Sequence, residues 1–223
     1  KLPNMSRNRI SLPRIYPIID DSLVSIDRIE DASKAIIKGG AKIIQLRSKR
    51  FSSKEFLEAA QIIRKITKDT DAIFIVNDRV DISLMADADG VHLGQDDMPV
   101  TESRKLLGKD KIIGYSTHNL REASEAIRLP VDYISFGPIF PTKTKKDART
   151  PKGLKGLAEI RKVIDIPIVA IGGITETNMI HVFQEGADSV AMISEILNSQ
   201  DIIKKVRRLI TIAKDLNKGS AQG

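Results

Sequence analysis

The chain is 223 residues long, 41% hydrophobic, and carries a formal net charge of +7 from 36 Lys plus Arg against 29 Asp plus Glu. That length fits one large domain with a sizeable core, no apolar run approaches the ~18 residues of a membrane-spanning helix, and the lack of cysteine excludes disulfides and thiolate chemistry. Only 4% of residues are aromatic and none is tryptophan, which weighs against a base-stacking surface. The basic excess favours anionic partners, either nucleic acid or phosphorylated small molecules; phosphorylated small molecules, with no nucleic-acid or membrane partner, are the expectation. The polar, basic start has no apolar core of a secretory signal, so a cytoplasmic location is expected. Homo-oligomer formation is left open at this level.

In chain order, residues 1–13 show no hydrophobic periodicity and read as a polar N-terminal extension. A first strand, Arg14 to Ile19, ends at Asp20-Asp21. Ile26 to Lys38 has helical spacing and stops at Gly39-Gly40. Lys42 to Leu46 is strand two, Ser53 to Lys68 a long amphipathic helix, Ile73–Val76 strand three, Val80–Ala86 a helix and Gly90–Leu93 strand four. The alternation continues with a helix from Pro99, a strand at Lys111–Tyr115, a helix at Leu120–Ile127 and a strand at Asp132–Phe136. It closes with a helix from Gly153, a strand at Pro167–Ile171, a helix at Thr177–Glu185, a strand at Ser189–Ile193 and a helix from Ile202 to Leu216. Eight strand–helix units predict an α/β fold, a (β/α)8 TIM barrel in a single domain over residues 14–216, with 217–223 a flexible tail. An open doubly wound sheet is the competing architecture.

In such barrels the chemistry lies at the C-terminal ends of the strands, and here those ends are unusually polar. Ile73 to Val76 runs into Asn77-Asp78, and Gly90 to Leu93 runs into Gly94-Gln95-Asp96-Asp97. Clustered carboxylates are costly unless paired or bound to a cation, so Asp78 and Asp97 are candidates to hold one Mg2+ between them. Their plainer role is to cap the helices that follow. Gln45, Arg47 and Lys49 alternate on one face and suit a diphosphate. The segment from Pro138 to Asp147 is longer than a connector needs and rich in threonine and lysine, as a lid over an anion would be. Gly172-Gly173 after strand seven, with Ile193-Ser194 after strand eight, fits the phosphate cradle of these barrels. Of the three histidines, His92 reads as an interior hydrogen-bonded side chain, His181 lies far from the mouth, and His118 lies near it. No metal-type His/Cys cluster or Ser-His-Asp triad can be assembled.

Six motifs in this order carry a family resemblance. They are Gln45-Leu-Arg-Ser-Lys49, Val76-Asn-Asp-Arg-Val-Asp81, Ala88-Asp-Gly-Val-His-Leu-Gly-Gln-Asp-Asp97, Gly114-Tyr-Ser-Thr-His118, Phe136-Gly-Pro-Ile-Phe-Pro-Thr-Lys-Thr-Lys145 and Val169-Ala-Ile-Gly-Gly-Ile174. Together they resemble the thiamine phosphate synthases. The resemblance implies a transferase that joins hydroxymethylpyrimidine diphosphate to thiazole phosphate with loss of pyrophosphate. By the same likeness Gln45, Arg47, Lys49, Asn77, Ser116 and Lys145 would hold the pyrimidine diphosphate, with Arg47, Lys49, Ser116 and Lys145 serving the chemistry. Asp78 and Asp97 would bind Mg2+, and Thr142, Thr144, Gly173, Ile193 and Ser194 would hold the thiazole phosphate. The sequence departs from the usual pattern at Ser48, where an acidic residue is common, and at Pro130-Val131. The competing functions are the thiazole tautomerase of a sister group, a sugar-phosphate isomerase or aldolase, and a basic nucleic-acid-binding module.

Overall fold

The computed structural model describes residues 10–142 and 150–219. Eight parallel strands close on themselves in sequence order, so the open-sheet alternative is excluded. The strands are β1 (Ile15–Asp20), β2 (Ile43–Arg47), β3 (Ile73–Asn77), β4 (Gly90–Leu93), β5 (Ile112–Thr117), β6 (Tyr133–Phe136), β7 (Ile168–Ile171) and β8 (Ser189–Met192). Around them lie α1 (Ile29–Lys38), α2 (Ser53–Thr67), α3 (Val80–Met85), α4 (Val100–Leu107), α5 (Leu120–Ala126), α6 (Gly153–Arg161), α7 (Met179–Gln184), α8 (Ser194–Leu197) and α9 (Ile202–Gly219). Two details differ from the sequence reading. The first helical segment opens with a 3-10 turn, Ile26–Arg28, and α8 is an extra element whose four residues are too few to show a helical period. The last helix runs on to Gly219, while residues 220–223 of the expected tail lie outside the described residues.

Successive side chains of a strand face opposite ways, and the core divides accordingly. One cluster fills the space between strands and helices, including Ile19, Ile44, Leu46, Phe74, Val76, Val91, Ile134, Ala170 and Val190. The other sits inside the barrel and includes Tyr16, Ile18, Ile43, Ile75, Tyr133, Val169 and Ala191. Leu12, assigned from sequence to the polar extension, is buried with this inner cluster.

At the N-terminal ends of the strands one device recurs. Asp89, Asp132 and Asp188, each just before an even-numbered strand, accept the backbone N–H of Phe74, Ile113 and Ile168 at 2.7, 2.7 and 2.8 Å. Each also pairs with an arginine from an even-numbered helix: Arg64, Arg104 and Arg161. Every such aspartate thus satisfies an amide at the start of a strand, the first or second of its residues, and ties a helix to it.

A different aspartate organises the loop after β2. Asp21 Oδ2 accepts from Ser48 Oγ at 2.5 Å and from the backbone N–H groups of Lys49, Arg50 and Phe51 at 2.9, 2.5 and 3.1 Å. Burial opposes its charge, but the hydrogen bonds from Ser48 and the three amides outweigh it and hold the carboxyl below the usual range. A depressed folded-state pKa contributes stability that is present above the unfolded value of about 4 and lost as pH falls through the folded one. Asp21→Asn is therefore expected to be less stable at neutral pH and to flatten the acid limb of a plot of unfolding free energy against pH. An unchanged acid limb would show that the carboxylate is not what orders the loop.

Candidate active site

At the C-terminal end of the barrel lies a cavity of about 410 Å3. Eleven of the residues singled out from sequence line it: Gln45, Arg47, Lys49, Asn77, Asp78, Asp97, Ser116, Thr142, Gly173, Ile193 and Ser194. His118 lines it too, its Nδ1 2.8 Å from Gly137 O. Thr144 and Lys145 lie outside the described residues. His181 sits on α7 beside Gln184, away from the cavity.

The polar rim follows from strand register. Ile18 pairs with Gln45 and Asp20 with Arg47, Gln45 with Ile75, Asn77 with His92, and Ser116 with Ser135. Residues paired this way share a face, so the alternation that packs Ile18, Ile75, Val169 and Ala191 inside the barrel also brings the polar strand ends to one mouth. β2 itself stops at Arg47, yet Lys49 reaches the cavity from the loop. Arg47 is oriented by the buried Asp20, Nη1 to Oδ2 at 2.5 Å. Ser48, the departure from the family pattern, does not orient it; its hydroxyl serves Asp21 instead.

The two acids do not cap helices. α3 begins at Arg79 and α4 at Pro99 as N-caps, and neither helix has a side-chain cap. Asp78 instead adopts a left-handed backbone (φ 66°), a conformation that non-glycine residues hold only where the surroundings enforce it. Its carboxylate meets Lys49 Nζ at 2.7 Å and hydrogen-bonds Asp97. Asp97 also accepts from Gly94 N at 2.6 Å. Two carboxylates in contact cannot both stay charged without a cation. Burial first, and then the adjoining Asp78, push the Asp97 carboxyl up to about 6. Although burial opposes its charge, the hydrogen bond from Asp97 and the ammonium of Lys49 hold Asp78 below its usual range. The pair is thus a half-neutralised oxygen donor set, of the hard kind that suits a divalent cation. Among the described residues no group of three or more His, Cys, Asp or Glu gathers as a metal site, here or elsewhere; Asp78 and Asp97 are a pair.

On the opposite wall, Gly172 and Gly173 have φ of 101° and 63°. A Cβ on Gly173 would lie 2.5 Å from Pro141 O, so only glycine lets the β7 loop pass this close to the 137–142 segment. Peptide Gly137–Pro138 is cis. Sequence reasoning missed Tyr16, Tyr133 and Ser135, which also line the cavity. Their signal was strand parity: Tyr16 is two residues from Ile18, and Tyr133 two from Ser135, on the inward face.

A closed (β/α)8 barrel with a polar mouth of this composition defines the class, a barrel enzyme whose chemistry sits at the strand C-termini. A family model described as thiamine monophosphate synthase matches residues 15–196. The chain is 45% identical to the thiamine-phosphate synthase of Lawsonia intracellularis over 89% of its length and 93% of that protein. It is 44% identical to that of Persephonella marina, over 95% and 99% respectively. A thiamine phosphate pyrophosphorylase structure from Pyrococcus furiosus superposes with a TM-score of 0.83 at 37% identity, covering 92% of this chain and 96% of that one. The chain belongs to the thiamine monophosphate synthase family and is a transferase. No helix among the described residues is long and apolar enough to cross a membrane.

Proposed function

We propose that the enzyme joins hydroxymethylpyrimidine diphosphate to thiazole phosphate, giving thiamine phosphate and pyrophosphate, with Mg2+ as cofactor. The observation that carries this reading is the meeting of Arg47, Lys49, Asp78 and Asp97 on one rim, across a single cavity from the Gly172–Gly173 and Ile193–Ser194 backbone. That arrangement accommodates two anionic groups at opposite sides of one reaction space.

The C–O bond to the diphosphate breaks heterolytically, the electron pair leaves with pyrophosphate, and the electron-rich aminopyrimidine bears the methylene cation. The thiazole nitrogen then donates its lone pair to form the new C–N bond. Neither step needs a protein nucleophile. Arg47 and Lys49, with Lys145 by the family resemblance, bind the diphosphate and neutralise the charge it gains on leaving. Gln45, Asn77 and Ser116 hold the pyrimidine. Thr142, Thr144, Gly173, Ile193 and Ser194 hold the thiazole phosphate. Ile18, Val169, Ile171 and Ala191 keep water from the cation. Asp78 and Asp97 would hold Mg2+, which when bound supplies further neutralisation of the departing charge.

The test is to mix the two phosphorylated rings with the purified enzyme, with Mg2+ and with a chelator, and to quantify thiamine phosphate. Product with Mg2+ and little without is expected; no product in either arm rejects the reading. A second expectation needs no turnover. With its pKa raised above the unfolded value of about 4, Asp97 makes the metal-free folded state take up protons between about pH 4 and 6, so stability falls as pH rises through that window. Mg2+ should therefore raise Tm more at about pH 7.5 than at about pH 5. A thermal shift of equal size at both pH values would remove Asp97 from the metal site.

A further inference from the structure

A chain of polar side chains runs across the floor of the cavity. Gln45 Nε2 donates to Tyr16 Oη at 3.0 Å. Tyr16 Oη lies 2.9 Å from Tyr133 Oη, Tyr133 Oη 3.0 Å from His92 Nδ1, and His92 Nε2 2.9 Å from Ser116 Oγ. Gln45, Tyr16, Tyr133 and His92 are buried. Burial pushes both phenols up, so each keeps its single proton.

With the Gln45 amide donating, proton counting gives the direction of the bonds that follow. Tyr16 accepts from Gln45, so its own proton goes to Tyr133. Tyr133 has accepted one proton and gives its own to His92 Nδ1. His92, with Nδ1 accepting, carries its hydrogen on Nε2 and directs it to Ser116 Oγ at 2.9 Å, with Ser135 Oγ farther off at 3.3 Å. The Ser116 hydroxyl accepts from His92 and, at 3.4 Å, from Ser135 Oγ, so its own proton turns elsewhere, and the cavity is beside it. With Gln45 as the donor, reversing a later link would leave a buried phenol proton without an acceptor. The barrel also makes room for this chain. Gly114 pairs in register with both His92 and Tyr133, and a Cβ there would collide with the Tyr133 ring and with His92 Nδ1.

We propose that Tyr133 is a positioning residue that sets the donor–acceptor order with which the cavity reads the pyrimidine ring. Through Tyr16 it holds the Gln45 amide with the carbonyl and one N–H turned to the ligand, and through His92 it makes Ser116 a donor. The ligand class this order accepts is a ring with an exocyclic amine next to an unprotonated ring nitrogen. A ring bearing an oxo group beside a protonated nitrogen presents the reverse order and is refused. The inference rests on the function proposed above for its ligand, but the hydrogen-bond order can be measured without it.

The experiment uses the full chain and has two readouts. Correlation spectra of the 15N-labelled imidazoles, with the His92 signals identified by their loss in His92→Asn, should show His92 as the Nε2–H tautomer in the unaltered protein and as a mixture in Tyr133→Phe. The Nδ1–H tautomer in the unaltered protein, or no change in Tyr133→Phe, overturns the proposal. Kinetically, Tyr133→Phe should raise KM for the pyrimidine diphosphate about tenfold, leave KM for the thiazole phosphate unchanged, and lower selectivity for the amino ring over its oxo analogue about tenfold. Equal rises in both KM values with unchanged selectivity would mean general loosening and also overturn it. Tyr16→Phe is the companion variant: it should lose the same selectivity yet keep the His92 tautomer. If the unaltered enzyme made no product, the function proposed above would fall, while the tautomer would still decide the hydrogen-bond order.

Discussion

Asp78→Ala is expected to lower kcat about a thousandfold, a loss equivalent to about 4 kcal/mol of transition-state stabilisation by a bound cation, whereas Asp81→Ala should change it less than about twofold. The two acids are three residues apart and sit in opposite settings. Asp78 faces the cavity, touching Lys49 and Asp97. Asp81 is exposed on the first turn of α3, where Arg79 holds it through Nε at 2.8 Å and Nη2 at 2.5 Å. Removing Asp78 takes away half of the oxygen donor set and leaves Lys49 without its partner. Removing Asp81 releases only a surface ion pair, and such pairs contribute little. Steady-state rates across a Mg2+ titration check this. Similar losses in the two variants, or an Asp78→Ala enzyme with unaltered Mg2+ response, would put the cation elsewhere.

Arg47→Ala should damage both stability and activity, and the two effects can be pulled apart. Its partner Asp20 is almost fully buried, with a side chain 1% exposed. Asp20 keeps the Ser22 amide and hydroxyl as donors at 3.0 and 2.5 Å, but without Arg47 it is an uncompensated buried charge. Breaking such a pair from one side costs about 3 kcal/mol, which denaturant unfolding would read as a lower midpoint. Adding Asp20→Asn removes the stranded charge and should recover most of that stability. It should not restore activity if, as proposed, the missing guanidinium is the group that meets the leaving diphosphate, and kcat should stay down by about a hundredfold or more in both variants. Recovery of activity in the double variant would show that Arg47 only props up the fold.

Much of the architecture was legible because each strand is short, apolar and bounded by polar residues. Strand ends moved by a residue or two, as at Ile112–Thr117, where Ser116 and Thr117 continue the pleat although they look like loop. The metal-site candidates were legible as a pair but not their competitor's failure: a polar residue before a helix cannot be told from a cap until the backbone shows who sits at the N-cap. Long-range partners were out of reach. Nothing local says that Asp21 serves amides near residue 50, or that Tyr16 and Tyr133, 117 residues apart, are hydrogen-bonded. The roles of Thr144 and Lys145 stand on the resemblance and on the charge of their loop.

The placement of the arginine–aspartate fastenings has one more consequence. Asp89, Asp132 and Asp188 bolt three successive strand pairs at the end remote from the chemistry, whereas the seam between β1 and β2 has its bolt, Arg47 with Asp20, at the working end. Wear at the mouth is thereby decoupled from most of the frame but not from this seam. Under the proposed function, substrate engaging Arg47 would compete for the very group that closes the first seam, so turnover itself would make that corner breathe, while the remaining three stay shut.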